Sequence, residues 1–166
     1  MTTATPVRGP RLGGRVLLFD PAGRVLLMHA RDPDNPAHHW WELPGGGLDP
    51  DEIPADACRR ELAEETGIQL TEVGPCVCIR ESRFHYRGRD HWRVDHIHTA
   101  HLPERYAVTA TKHTDNERAG LLGRRWWTEQ EIRQTTAEKF LPHRLGHLLP
   151  RFRQPSGHGE PLRLSE

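Results

Sequence analysis

Between Pro54 and Thr66 the chain is rich in Ala, Leu, Glu and Arg, with a proline suited to the first helical turn and Gly67 placed to cap its end. A helix is predicted there, entered from the glycine run Pro44-Gly45-Gly46-Gly47. At roughly 100° per residue, Glu61, Glu64 and Glu65 fall within about a 100° arc of one face. Like charges at this spacing repel and weaken a helix. Across Gly46 to Ile68 seven acids face only Arg59 and Arg60, a local charge of minus five. A solvated acidic face is the ordinary reading of such a cluster. The alternative is that the carboxylates offer hard oxygen ligands to Mg²⁺ or Mn²⁺, whose charge removes the repulsion. Glycines immediately before the helix let backbone carbonyls approach such an ion.

The remainder reads as one α/β domain. Val16 to Phe19 and Val25 to Met28 are apolar runs joined by Asp20-Pro21-Ala22-Gly23, a hairpin pattern. Arg31 to His39 lacks periodicity and is expected to be a loop, followed by a short strand at Trp40 to Leu43. Val73 to Tyr86 and His91 to Leu102 read as paired strands around Arg87-Gly88-Arg89-Asp90. Asn116 to Gly123 is expected to be a loop, and Arg124 to Trp127 a strand. Thr128 and Glu131 have capping-box spacing, so a helix should begin there. Leu141, Leu145, Leu148 and Leu149 predict a last amphipathic helix. The expected divisions are an arm at 1–13, a domain at 14–149 and a loose tail at 150–166.

Leu, Val, Ile and Phe make up about one residue in five, near the border of disorder, but the formal net charge is zero and disorder by composition needs a large one. Zero charge also disfavours bulk binding to nucleic acid or an anionic membrane. No apolar run reaches a membrane span, and Met1 to Pro10 lacks a signal-peptide centre, so a cytoplasmic protein is expected. Cys58, Cys76 and Cys78 suggest reduced thiols.

The stretch from Gly46 through Glu52 to Arg60-Glu61-Leu62-Ala63-Glu64-Glu65-Thr66-Gly67-Ile68 matches every specified position of the pattern GX5EX7REUXEEXGU, with U aliphatic. It resembles the Nudix box, and the likeness to the family layout extends from about Gly14 to Leu149. The resemblance implies an α/β/α sandwich with a mixed β-sheet. It also implies a divalent-metal-dependent hydrolase that splits a nucleoside diphosphate linked to another moiety by water attack on phosphorus. Glu61, Glu64 and Glu65 would hold Mg²⁺, with Mn²⁺ as an alternative, joined by the carbonyl of Gly45 or Gly46. Arg60 and Glu52 would form a supporting ion pair. The general base would be Glu61 or a later loop residue such as Glu117. One departure lies beside the box: Ile53, before Pro54, cannot cap the helix, at a cost of about 1 kcal/mol that Asp56 partly recovers.

Weaker signals concern the substrate. Trp40 and Trp41 must point to opposite faces of a strand, so that one is core and the other, taken to be Trp41, lines the pocket. Arg80, Arg83, Arg87, Arg89 and Arg93 form a local basic patch, from which Arg83 is the candidate phosphate contact. Tyr86, 18 residues past the box, resembles a pattern of dinucleoside polyphosphate hydrolases, whereas Phe84 stands where the family's ADP-ribose-associated proline would be. Gly46 completes the expected substrate contacts. His96, His98 and His101 suggest zinc only faintly. The partner is thus a small nucleoside diphosphate derivative, and a homodimer is compatible with the family. Two alternatives share the fold. One is a non-catalytic nucleotide sensor. The other is isopentenyl diphosphate isomerase, which would need a cysteine in the loop before the box, where none stands.

Overall fold

The computed structural model describes residues 9–104, 121–154 and 159–166. Their order is β1 (Arg11–Phe19), β2 (Val25–Asp32), β3 (Asn35–Glu42), β4 (Gly45–Gly47), α1 (Pro54–Thr66), β5 (Cys76–Tyr86), β6 (Arg89–His101), β7 (Leu121–Trp127), α2 (Glu129–Gln134), β8 (Phe140–Leu141), α3 (Leu145–Arg153) and β9 (Leu162–Ser165). All strands belong to one mixed sheet that runs β8-β3-β2-β1-β6-β5-β9, with β4 added on β1 and β7 on β2. The β1–β2 hairpin joins its two halves through the Phe19 to Val25 pair. β1 runs parallel to β6 from Arg11↔Arg93 to Phe19↔His101.

Both faces of β1 are covered, which explains its unbroken apolar run. Val16 and Leu18 pack with Cys58, Leu62 and Ile68 of the α1 region, while Leu17 and Phe19 pack with Ile132 of α2 and Leu145, Leu149 and Phe152 of α3. Helices on both sides of a mixed sheet give the α/β/α sandwich. The Thr128–Glu131 capping box forms in both directions and starts α2. Among the described residues no helix is long and apolar enough to cross a membrane.

Several local expectations are corrected. Arg31 to His39 is mostly strand: Arg31 pairs with His39 and Asp32 with Asn35 across a turn where Asp32 Oδ1 accepts the Asp34 N–H. Backbone pairing outweighs the weak propensities of Pro36 and Asn35, which lie outside the Trp41–Glu42 stretch that pairs with β8 among the described residues. The β5–β6 turn narrows to Arg87-Gly88, both at positive φ, so Arg89 and Asp90 join the ladder. Leu121 to Gly123 belongs to β7. α3 begins at Leu145, because Leu141 lies in β8, paired to β3. It continues through Pro150 to Arg153. Residues beyond Pro150 are not uniformly a loose tail, since Leu162 to Ser165 runs parallel to β5 and places Leu162 and Leu164 against the core. A four-residue strand carries too short an alternation to stand out in the sequence.

Candidate active site

The inward face of α1 is set by Ala57, Cys58 and Leu62, each fully buried. That choice rotates Glu61 toward the glycines of β4, which pair with the start of β1 through Gly45↔Arg15, Gly46↔Gly14 and Gly47↔Gly13. Gly46 has no room for a side chain: an added Cβ would lie 2.5 Å from Glu61 Oε1. Gly45 sits at φ 145°, a region that disfavours any side chain, and donates its N–H to Glu65 Oε2 at 3.4 Å. The helix ends at Gly67 (φ 78°), whose N–H returns to the Ala63 carbonyl. Arg124 of β7 donates to the Glu65 carbonyl at 2.6 Å, satisfying another terminal acceptor. At the other end Ile53 supplies no cap bond, as its side chain requires.

Arg60 ties the segment together. Its Nε and Nη2 grip both oxygens of Glu52 at 2.9 Å, Nη2 also donates to the Gly47 carbonyl, and Nη1 donates to Glu61 at 2.9 Å and to Glu64 at 3.4 Å. Glu52 in turn accepts the Asp49 N–H. The Arg60 bonds outweigh desolvation and hold the Glu52 carboxyl below its ordinary range. Arg60 thus joins Glu52, Glu61 and Glu64, while Glu65 is tied to the glycine strand through the Gly45 N–H.

Glu65 is the electrostatic focus. Burial, followed by the charge of Glu61 and the nearby Glu42, pushes its carboxyl well above the usual range, against the pull of Arg15 and the Gly45 N–H. Arg15, buried in β1, was not foreseen as part of the site. It donates to the Leu43 carbonyl at 2.7 Å and to Asp95 at 3.2 Å, and lies 3.6 Å from Glu42. Burial works against its charge, but Glu42, Asp95 and Glu65 outweigh that and keep it protonated. A lone arginine in Gly13-Gly14-Arg15-Val16 gives no sequence sign of this, because the Gly45↔Arg15 register creates it.

These residues fit a hard divalent cation. Glu65, raised by burial and then by the charge of Glu61, forms with it an acidic pair that a dication would relieve, and oxygen is the donor such ions prefer.

The substrate expectations fare less evenly. Trp41 is core: its ring meets Trp127 edge-on at 5.0 Å, stacks on His29 at 4.3 Å and donates to Glu138. Its fellow Trp40, also buried, faces Tyr86 edge-on at 6.2 Å. Tyr86 is half-buried there, also meeting His91. Arg83, three residues earlier, is on the other face of β5, mostly exposed and laid over Trp92 at 4.2 Å. The structure does not bring Arg83 and Tyr86 together. Arg93 instead shares the Tyr86 side, 5.3 Å over the Phe84 ring, with a buried Nε that has no hydrogen-bond partner among the described residues. Glu117 lies outside the described residues. His98 is bonded to the Gly74 carbonyl and His101 stacks on Phe19, so these histidines do not gather around an ion.

Comparison with known proteins adds the family. A model described as the NUDIX domain matches residues 9–152. The RNA pyrophosphohydrolase of Bartonella henselae is 43% identical over 77 residues, which cover 43% of this chain and 42% of that protein. That of Pseudomonas putida is 38% identical over 71 residues, with 43% and 40% covered. The matched segment thus spans about two fifths of these curated relatives. Among solved structures, the NUDIX domain of Shewanella oneidensis NrtR complexed with ADP ribose has a TM-score of 0.63 at 21% identity, covering 91% of this chain and 94% of that one. The MutT protein from Methanosarcina mazei Go1 has a TM-score of 0.62 at 18% identity, covering 89% and 96%. At these identities the likeness is one of fold.

Proposed function

Because this chain belongs to the NUDIX family, we propose that it is a divalent-metal-dependent pyrophosphohydrolase, cleaving the diphosphate of a nucleoside diphosphate linked to another moiety by attack of water on phosphorus. The observation that carries this reading is the carboxylate face of α1, set against the glycine backbone of β4 and held by Arg60. Glu61, Glu64 and Glu65 would hold Mg²⁺, or Mn²⁺, with the carbonyl of Gly45 or Gly46. The chemistry such an ion would supply when bound is neutralisation of the diphosphate oxygens and a lowered pKa for a bound water.

The protein's own groups then have separate tasks. Arg60 and Glu52 are positioning residues: a guanidinium engaged at both oxygens of Glu52, at the Gly47 carbonyl and at Glu61 fixes where the acidic face points. Glu61, packed against Gly46, is our first choice for taking the proton of the attacking water, with Glu117 as the alternative. Trp40, Tyr86 and Arg93 offer an aromatic shelf with a cation for the remainder of the substrate, replacing Trp41 and Arg83 in that role. The name of the curated relatives makes RNA a substrate to test, and zero net charge favours recognition of its terminal phosphates over its length.

A Mg²⁺-supplemented panel tests the reading: RNA with a terminal polyphosphate, nucleoside triphosphates, ADP-ribose, dinucleoside polyphosphates and nucleotide sugars. Glu64→Gln and Glu65→Gln are expected to cut turnover about 100-fold or more, as a loss of several kcal/mol at the metal implies, with the circular dichroism unchanged. Unchanged phosphate release from either variant overturns it.

A further inference from the structure

We propose that His29, His39 and Glu138 form a second metal site, separate from the acidic face of α1 and suited to a borderline transition-metal ion such as Zn²⁺. Each of the three offers one donor atom, and these atoms lie within 4.8 Å of one another. Among the described residues they are the group of His, Cys, Asp and Glu side chains that converges in this way.

The sheet register builds the site. His29 of β2 is paired directly with Trp41 of β3, so both side chains leave the same face. His39 precedes Trp41 by two residues and shares that face by strand alternation. On the far side of β3, Phe140 of β8 pairs with Trp41, and Glu138, two residues before Phe140, reaches the same place. A Cβ added at Gly123 of β7, which pairs with His29 on its other side, would meet nothing within 4 Å among the described residues.

The donors are close. His29 Nε2 and His39 Nδ1 are 3.1 Å apart. Two nitrogens bound to one tetrahedral Zn²⁺ at about 2.0–2.1 Å would be about 3.4 Å apart, so a shift of a few tenths of an ångström suffices. Without metal, one nitrogen must carry the proton shared in that contact, and an ion would take the proton's place. Trp41 fixes the surroundings: its indole N–H donates to Glu138 Oε2 at 3.0 Å and its ring stacks on His29. Hydrogen bonds to ligating carboxylates of this kind orient the ligand and tune the metal.

Two imidazoles and one carboxylate are borderline donors, unlike the all-oxygen set of α1, and they leave a tetrahedral position for water. The two sites should therefore sort metals. The assignment does not depend on the hydrolase reading.

The test titrates Co²⁺ and Zn²⁺ into metal-stripped protein in excess Mg²⁺, by calorimetry and by the visible absorption of four-coordinate Co²⁺. One tight ion per chain is expected, retained in Glu64→Gln and weakened at least about tenfold in both His39→Ala and Glu138→Gln. Circular dichroism checks that both variants fold. If the wild type takes up no tight ion, if both variants bind as it does, or if the ion is lost in Glu64→Gln instead, the proposal fails.

Discussion

A single hydrogen atom at Gly46 decides where the Glu61 carboxylate can rest. A Cβ there would lie 2.5 Å from Oε1 and 2.6 Å from Cδ, and what must yield is the end of a flexible side chain. Gly46→Ala is therefore expected to fold, with a thermal midpoint near that of the parent, yet to lose about 100-fold in turnover, the scale attached to misplacing a reacting group by an ångström. Retained turnover would show that the position of Glu61 is not critical. The arginines divide differently. Arg60 stands in a motif whose resemblance implies the Glu52 partner, and the structure adds Glu61 and Glu64 to it. Arg15, Arg93 and Arg124 meet the site region only through cross-strand register, so nothing near them in sequence marks their roles.

Elements show the same division between local and distant causes. α1 and α2 were legible because their signals are local: Pro54 and Gly67 bound the first, and Thr128 and Glu131 start the second. The defect at Ile53 was legible too. Its side chain is 58% exposed and makes no core contact to lose, so Ile53→Ser should stabilise the protein by about 1 kcal/mol, raising the thermal midpoint by about 2–4 °C. A lowered midpoint in a melting curve would contradict this. The β1–β2 turn depends on Asp20, whose Oδ1 accepts the N–H groups of Ala22 and Arg24 while Oδ2 accepts Arg24 Nε at 2.7 Å. Burial alone would raise this carboxyl, but the Arg24 and Ala22 bonds prevail and lower it. A group depressed in the fold stabilises fully above its unfolded value of about 3.9 and loses that contribution as pH falls through the folded value. Asp20→Asn should thus cost about 1–3 kcal/mol at pH 7 in urea titrations, with the difference shrinking under strongly acidic conditions. A difference that grew with acidity would refute it.

Across the molecule, one edge of the sheet is formed by a strand that composition hid. Glu166, just past β9, places Oε2 2.6 Å from Arg80 Nε and accepts the His143 N–H with Oε1, joining β5 to the start of α3. Its backbone also bonds to Glu81 and Arg83. Removing this carboxylate leaves the nearly buried Arg80 with Asp95 at 4.0 Å. Glu166→Ala is expected to lower unfolding stability by about 3 kcal/mol, and Glu166→Gln by less, since it keeps an acceptor. Equal stability of the alanine variant in urea would show that these contacts are ornamental.

The acidic helix, its glycine approach, its missing cap and the positions that match the NUDIX pattern are legible along the chain, because each depends on neighbours a few residues away. That Trp41 is core, that Tyr86 faces Trp40 and Arg93 instead of Arg83, and that the last strand lies along β5 follow from the folded arrangement. The same is true of His29, His39 and Glu138, which come from separate strands and a loop. The physical reason is that strand register depends on partners far along the chain. A strand's own alternation shows which residues share a face, but not which strand lies beside it.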